Sequence, residues 1–212
     1  MVKLYVEGGG DTAALKAICR EGFAKFLRKA GLQGHMPRIV ACGSRYNAYS
    51  SFCTAVTMGE QAFLLVDSEA PVEALFQEGA FDNWRPWQHL AQRPGDQWQK
   101  PEDADESRCH LMTQCMESWF LADRETLRSF FGHGFKENQL PDDAIAVESV
   151  AKQEVYDSLV KATKNCKSKA RYSKGEHSFK LLALLVPSKV TAASPWAKRF
   201  IETMQNHLGQ LA

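Results

Sequence analysis

The sequence lacks the residue patterns of several well-known kinds of site. Its six cysteines include no Cys-x-x-Cys pair and its six histidines include no His-x-x-x-His pair, so a structural zinc site is not expected. It also contains no Gly-Lys-Ser/Thr of a P-loop and no serine-centred nucleophile elbow. We therefore expect free, mostly buried thiols and a site built from other side chains.

An excess of charge of one sign and long apolar runs are absent as well. The chain has 26 Lys+Arg against 25 Asp+Glu, a formal net charge of +1, so no global field attracts nucleic acid or an anionic membrane. No window approaches the roughly 18 consecutive apolar residues of a membrane span, and the chain opens on a strand-like run rather than a signal peptide. These absences predict a cytoplasmic protein that does not contact the membrane.

The first 70 residues have the βαβαβ pattern that is typical of a parallel sheet. Apolar runs at 4–6, 37–42 and 62–66 predict strands, and amphipathic stretches at 11–30 and 44–58 predict the helices between them. The third run is apolar without alternation, as in a central strand covered on both faces. We predict an α/β fold with a parallel sheet of about four strands and helices on both faces.

The rest of the chain is expected to complete a single structural unit. An α/β core at 1–135 would include a Trp-rich insertion packed by its own aromatics, and a helical extension at 136–212 would pack on that core. The elements expected after the third strand are the insertion at about 70–107, a strand at 110–115 and helices at 117–131, 145–163, 177–185 and 195–208.

Acidic residues follow three of the predicted strands. Glu7 follows the first strand, Asp67 and Glu69 follow the third, and Glu117 follows the fourth. Because the carboxyl ends of parallel strands share one edge, these carboxylates are expected to gather there and to repel one another unless a cation neutralises them. Mg²⁺ or Mn²⁺ would do so, and the simplest ligand for such a site is a phosphodiester.

Each acid taken singly also has a structural interpretation. Glu7 would merely end a strand, Asp67 and Glu69 would cap the following helix, and Glu117 would complement a helix N-terminus. Their joint placement after successive strands favours a shared site.

The glycine run between the first strand and the first helix offers another interpretation. The bare backbone of residues 8–10 could cradle a phosphate at a helix N-terminus. Glu7 and Asp11 flank this run, however, and would repel a nucleotide unless a cation intervened. We rank nucleotide binding below metal-dependent chemistry.

These motifs resemble a known superfamily. A strand ending in Val6-Glu7-Gly8, an acid at the next helix start and a strand ending in Asp67-Ser68-Glu69 resemble the TOPRIM domain of topoisomerases, primases and OLD-family nucleases. Within that superfamily the chain is most similar to short bacterial TOPRIM-like proteins often encoded beside an ABC- or AAA-type ATPase. The resemblance covers most of the chain and includes two later motifs, Met116-Glu117-Ser118-Trp119 and Tyr172-Ser173-Lys174-Gly175.

The resemblance implies a metal-dependent nuclease, active on DNA or RNA, that serves as an effector of bacterial anti-phage defence with an ATPase partner. It implies catalytic roles for Glu7, Asp67 and Lys174. Glu69 departs from the family's Asp-x-Asp pair by one methylene. The implied ligands of Mg²⁺ or Mn²⁺ are Glu7, Asp11, Asp67, Glu69 and Glu117, with Asp123 in reserve as an expected surface acid.

Two further alternatives remain open from the sequence. The basic stretch from Lys161 to Lys180 is either a solvated face or a surface that contacts phosphates. The whole protein is either a nuclease or a non-catalytic module that docks on an ATPase, in which case the Trp-rich insertion would offer an exposed docking surface. The choice between DNA and RNA, the ion used, and assembly into a homo-oligomer are likewise open.

Overall fold

A glycine turn ends the first strand, and a threonine begins the first helix. In a computed structural model that describes residues 1–209, strand β1 spans Lys3–Val6 and helix α1 spans Ala13–Leu27. The Thr12 side chain accepts a hydrogen bond from the backbone N–H of Leu15 (3.2 Å), which satisfies one of the free donors at the start of α1. The predicted order of strand, turn and helix is confirmed.

Four strands form one parallel sheet in the order β2-β1-β3-β4. Strand β2 covers Arg38–Ala41, β3 covers Ala62–Asp67 and β4 covers Cys109–Met112. The register aligns Val6 with Leu65 and Asp67 with Met112, so the carboxyl ends of the strands meet at one edge. The predicted α/β class with a parallel sheet of about four strands is confirmed.

Helices cover both faces of this sheet, as predicted. Leu4 and Val6 pack in an apolar cluster with α1, whereas Tyr5 packs in a second cluster with α2, which spans Arg45–Thr57. Adjacent strand residues point to opposite faces, so the two clusters lie on the two sides of the sheet. From β1 the chain passes through α1 to β2, which pairs with one edge of β1. It then passes through α2 to β3, which pairs with the other edge, so the direction of strand addition reverses between β1 and β3. Open α/β sheets bind ligands at such a reversal.

The Trp-rich insertion folds into short 3₁₀ turns and one helix, α3, at Pro86–Gln92. Trp98 stacks on Tyr49 of α2 with ring centroids 4.6 Å apart, and Trp84 packs at the same distance on Trp196. The insertion is therefore packed by aromatics of the core and of the extension as well as by its own. Its three tryptophans are all buried: Trp84, Trp87 and Trp98.

The region after β4 differs from the sequence prediction in its boundaries. The strand predicted at 110–115 ends at Met112, and the helix predicted at 117–131 is interrupted before Asp123. The helix expected from residue 145 begins only at residue 152, and α8 has no predicted counterpart. The α-helices that follow β4 are α4 Ser118–Leu121, α5 Arg124–Phe131, α6 Lys152–Ala162, α7 Lys174–Leu182, α8 Pro187–Ala193 and α9 Pro195–Gly209.

The helical extension is packed on the core. Phe200 and Met204 of α9 lie in the same apolar cluster as Leu4, and α7 packs along α1. Residues 210–212 of the predicted extension lie outside the described residues. All six cysteines are free thiols, as expected. Within residues 1–209, no helix combines the length and apolarity needed to cross a bilayer.

Candidate active site

The candidate site lies where β1 and β3 end, at the reversal of strand order. Glu7 follows the last residue of β1, Asp67 is the last residue of β3, and Glu69 lies two residues further along the chain. One carboxylate oxygen from each of the three residues lies within 4.8 Å of the others. Three acids predicted from separate strand ends therefore converge at one point.

Backbone hydrogen bonds hold these carboxylates in position. The N–H of Asp67 donates to Oε2 of Glu7 (3.1 Å), and the N–H of Met116 donates to Oδ1 of Asp67 (2.8 Å). Glu69 has a φ of 63°, in the left-handed region that residues other than glycine rarely adopt, and its N–H donates to the carbonyl oxygen of Gln114 (2.9 Å). Strained backbone of this kind is concentrated at functional sites.

Two cations contact the acidic group and offset part of its charge. The Lys152 ammonium lies 2.5 Å from Oε1 of Glu69 and 3.3 Å from Oδ2 of Asp67. Nε of Arg45 lies 3.5 Å from Oε2 of Glu7 and 3.8 Å from Oε1 of Glu69. The Arg45 Nε is buried and makes no hydrogen bond with the residues described, so its interaction with the acids is an ion pair alone.

The Trp-rich insertion fixes the position of Arg45. Both terminal nitrogens of its guanidinium donate to the Asp96 carboxylate, at 3.2 and 2.9 Å. The guanidinium carbon also lies 4.9 Å from the centre of the Trp98 ring. A bidentate pair and a stacked ring leave an arginine little rotational freedom, so the insertion fixes the guanidinium of Arg45 beside the acids.

Burial and mutual repulsion raise the pKa of two of the acids, Glu7 and Asp67. Burial raises the pKa of Glu7 well above its ordinary value, and the neighbouring Asp67 carboxylate adds to this effect. Burial also raises the pKa of Asp67, with a further contribution from Glu117. Burial alone would lower the pKa of Lys152, but Asp67 and Glu69 outweigh it and raise that pKa. The ammonium therefore stays charged, whereas Glu7 holds a proton to a higher pH than an exposed glutamate does.

Glu117 lies next to this group in a polar environment of its own. It is fully buried, and Oε1 accepts hydrogen bonds from the hydroxyls of Ser178 (2.8 Å) and Tyr172 (3.2 Å). Oε2 accepts one from the hydroxyl of Tyr156 (3.2 Å). These donors hold the carboxylate in one orientation behind Asp67.

A cavity of about 340 Å³ opens beside the carboxylates, a size typical of pockets that hold one small molecule. Lys174, the first residue of α7, lines it, and its ammonium donates to the Tyr156 hydroxyl (2.9 Å). Burial lowers the pKa of Lys174, but Glu117 and Asp67 outweigh this effect and raise it. Glu7, Asp67 and Glu117, together with this lysine and the glycines of residues 8–10, thus surround one space.

Glycine is required where the turn after β1 meets α7. Gly8 has a φ of 120°, and a Cβ atom at this position would lie 2.5 Å from Cζ of Phe179. Its backbone also pairs with Gly43, through two N–H···O bonds of 2.9 Å. The turn is therefore held against the wall of the cavity by contacts that no larger residue permits.

Two acids named from the sequence lie apart from this group. Asp11 is exposed and is not among the three converging carboxylates. Asp123 was expected on the surface, and that expectation was wrong, because the chain breaks its helix there and buries the carboxylate as the cap of α5. The Asp123 carboxylate accepts hydrogen bonds from three residues: Thr126, Val186 and Lys189.

Sequence reasoning placed neither Lys152 nor Arg45 among the components of the site. Each is the first residue of a helix, α6 and α2 respectively. A cation there opposes the helix dipole, which favours negative charge at an N-terminus. A cation at a predicted helix start, as at Arg45, is thus a weak signal of an acidic partner elsewhere in the chain. Lys152 gave no such signal, because its helix was predicted to begin at residue 145.

The chain's own residues fit a hard divalent cation. Carboxylate oxygens are the donors that Mg²⁺ and Mn²⁺ prefer, and three of them already face one another. The Lys152 ammonium contacts two of these carboxylates, so a cation bound there would use oxygens that the lysine now contacts. Glu7, Asp67 and Glu69 would hold such an ion, whereas Asp11 would not reach it without a change in the turn.

Comparison with known proteins identifies a family. The family model described as "Domain of unknown function (DUF4276)" matches residues 6–205. No curated protein and no solved structure matches the chain.

Proposed function

The chain belongs to the DUF4276 family, and from the geometry of its site we propose that it is a Mg²⁺- or Mn²⁺-dependent nuclease of the TOPRIM/OLD kind that cleaves phosphodiester bonds of DNA or RNA. The observation that carries this proposal is the approach of three carboxylates within 4.8 Å at the carboxyl edge of a parallel sheet. Phosphoryl transfer depends chiefly on positioning and on stabilisation of charge. Both requirements match a fixed group of acids beside a cavity.

The residues around the cavity suit separate tasks. A divalent ion held by Glu7, Asp67 and Glu69 would supply charge neutralisation at the phosphate. Glu7 lines the same cavity, and its carboxylate is the candidate for accepting a proton from an attacking water. Lys174 faces the same cavity and carries a charge that would stabilise a phosphate oxygen. Glu117, held by three hydroxyls, lines the cavity with Asp67 and Lys174 and would keep a fixed position there.

The biological setting of the proposal comes from the TOPRIM-like resemblance. An effector in anti-phage defence, gated by an ABC- or AAA-type ATPase, is the setting of the short TOPRIM-like proteins that this sequence resembles. A nuclease with a net charge near zero binds nucleic acid weakly by itself, because phosphate contacts dominate non-specific affinity. Dependence on a partner would then limit cleavage to infected cells.

A second candidate is a non-catalytic module that regulates an ATPase. The observation in its favour is that Lys152 and Arg45 together contact all three acids, so each acid has a cationic partner without an added ion. Against it, the tryptophans of the insertion are buried and cannot form the exposed docking surface that this function would use. The nuclease is therefore the better supported of the two.

Cleavage by purified protein separates these candidates. Plasmid, single-stranded DNA and tRNA would be incubated with Mg²⁺ or Mn²⁺ and with wild type, Glu7→Gln or Asp67→Asn. We expect cleavage by wild type and a loss of about 10²-fold or more in both variants, since each removes a charged group from the reacting centre. The matched controls are Glu73→Gln and Asp103→Asn, which change exposed acids of the insertion.

Two results would contradict the nuclease. Undiminished cleavage by Glu7→Gln and Asp67→Asn would mean that the activity resides elsewhere or in a contaminant. No cleavage by wild type, together with no rise in its melting temperature in either ion, would favour the regulatory module.

A further inference from the structure

One segment of the surface carries several positive charges and no acid. Between residues 161 and 174 there are six cations and no acid, and every one of the cations lies on an exposed residue. Within residues 1–209, none of the six takes part in an ion pair. We call this the basic segment, and its cations are Lys161, Lys164, Lys167, Lys169, Arg171 and Lys174.

The basic segment is anchored to the protein at several points. It joins α6 to α7, and the N–H of Tyr172 donates to Oγ1 of Thr163 (2.8 Å). The N–H of Lys167 donates to the carbonyl oxygen of His133 (3.4 Å), and the Lys169 ammonium lies 5.2 Å from the centre of the Phe130 ring. The cations are therefore held on a defined part of the surface.

One end of the basic segment enters the candidate active site. Lys174 lines the cavity, and the Tyr172 hydroxyl donates to Glu117 at its base. Lys161 lies in the last turn of the helix whose first residue, Lys152, contacts Asp67. The positive surface thus begins at the acids and leads away from them.

The distribution of charge favours a polyanionic ligand at this surface. The six cations exceed the formal net charge of the whole chain, +1, so the rest of the molecule is net negative. Like charges crowded on one segment repel one another, and an approaching row of phosphates would relieve that repulsion. Within an otherwise acidic molecule, the basic segment is where a chain of phosphates is attracted.

We propose that residues 161–174 bind the sugar-phosphate backbone of a nucleic-acid strand and lead it to the cavity where its phosphodiester bond is cleaved. This inference rests on the proposed function for the identity of the ligand. Lys174 contacts the strand at the cavity, and the lysines before it contact phosphates further along. Such contacts position a strand without selecting its sequence.

The chemistry of the segment argues against other polyanionic surfaces and against base recognition. Its only aromatic residue, Tyr172, is buried, and it has no exposed large aliphatic side chain. A membrane-binding segment needs such apolar groups to enter the headgroup region, and a base-stacking surface needs exposed aromatics. The basic segment is therefore suited to contacts with phosphates and not with bases or a membrane.

Binding without divalent ions tests the proposal, because cleavage cannot then occur. Fluorescence anisotropy would measure the affinity of the full chain in EDTA for labelled single-stranded DNA, its duplex and an RNA of the same sequence, between about 50 and 200 mM salt. The variant carries Lys164→Gln, Lys167→Gln, Lys169→Gln and Arg171→Gln, and leaves Lys174 intact. We expect the slope of log affinity against log salt to fall in magnitude by about 3 to 4, and the affinity at 0.1 M salt to fall by about 100-fold or more.

A matched control removes the same number of exposed cations elsewhere: Lys25→Gln, Arg28→Gln, Arg38→Gln and Lys198→Gln. It is expected to bind with the wild-type slope. Circular dichroism and melting temperature would verify that both quadruple variants fold.

Three outcomes would overturn the proposal: no binding by wild type, an equal loss in the control, or an unchanged slope in the segment variant. Binding of wild type to phosphatidylserine vesicles but to none of the nucleic acids would overturn it as well. A failure of the proposed nuclease function can be told apart from a failure of this proposal. In the first case Glu7→Gln would cleave no less than wild type does, and this comparison does not depend on what the segment variant binds.

Discussion

Lys152 is the residue whose surroundings conflict most with its local sequence. It begins α6, where the helix dipole disfavours a cation, and its side chain is largely buried, which also disfavours charge. The contacts with Asp67 and Glu69 offset both costs. The lysine and the acids therefore depend on each other, and a divalent ion would compete with the lysine for the same oxygens.

Removal of the Lys152 ammonium should show whether it competes with a divalent ion for the same carboxylate oxygens. In the absence of divalent ions, Lys152→Met is expected to lower the free energy of unfolding by about 3 kcal/mol at neutral pH, because it leaves buried carboxylates unpaired. For a chain of this size that corresponds to a fall in melting temperature of roughly 6–12 °C. Mg²⁺ should then raise the melting temperature of the variant more than that of wild type, as measured by calorimetry.

Lys161→Met is the control for this change, since Lys161 lies on the same helix and makes no ion pair with any residue in 1–209. Equal responses of Lys152→Met and wild type to Mg²⁺ would show that lysine and ion do not share ligands.

At the residue scale, the sequence predicts the acids better than the cations. Glu7, Asp67 and Glu69 follow apolar runs whose strand character is evident, and parallel strands bring their ends to one edge. Lys152 is 85 residues from Asp67, and no local pattern links the two. Asp123 was misjudged for the same reason, because the partners that bury it come from α8 and the residue before it.

At the scale of elements, the turn between β1 and α1 depends on its contact with α7. Gly8 has both a positive φ and a neighbour, Phe179, that leaves no room for a Cβ atom. Gly34 has a comparable φ of 96°, but no atom lies within 4 Å of the place where its Cβ would be. The two glycines therefore separate the cost of backbone strain from the cost of a steric clash.

We expect Gly8→Ala to lower the free energy of unfolding by about 1–3 kcal/mol more than Gly34→Ala does. Both changes incur strain in the backbone, but only the first forces an aromatic ring out of position. Urea unfolding of the two variants measures the difference. Equal losses would show that the Phe179 ring moves aside without a cost in free energy, so that this wall of the cavity is easily displaced.

The boundaries of elements are where sequence-based prediction was least accurate. Residues 117–131 have continuous helical character, yet the chain forms two helices because Asp123 caps the second. The spacing of Asp123 and Thr126 matches a capping pattern and was the available signal. The early end of β4 had no such signal, since residues 113–115 are as compatible with a strand as those before them.

At the scale of the whole molecule, one buried arginine joins the helical extension to the sheet and to the insertion. Arg199 of α9 is 2% exposed. Its guanidinium donates to the carbonyl oxygens of Cys109 (2.9 Å), Glu106 (2.7 Å) and Phe81 (3.1 Å). The sequence could predict the apolar packing of α9 but not this polar connection, because the three carbonyls belong to loops and to a strand more than 80 residues away.

Arg199→Met should therefore destabilise the molecule as a unit. One buried and two partly buried carbonyl groups would lose their donor, and the expected loss is about 3–5 kcal/mol, or roughly 10 °C in melting temperature. Calorimetry should still show one transition, since the extension and the core share an apolar cluster. Lys198→Met, a change at the adjacent exposed residue, is the control. A separate early transition in Arg199→Met would mean that the extension unfolds independently.

The separation of Lys152 from Asp67 along the chain has a consequence for protein synthesis. At about 5–20 residues per second, the ribosome adds the lysine roughly 4–17 s after the aspartate. During that interval the nascent chain carries the acids without their ammonium, and the basic segment has not yet been translated. A fragment from a ribosome that stalls in this interval keeps Arg45 but lacks both the Lys152 ammonium and the basic segment. Only molecules translated past residue 174 contain every component of the site.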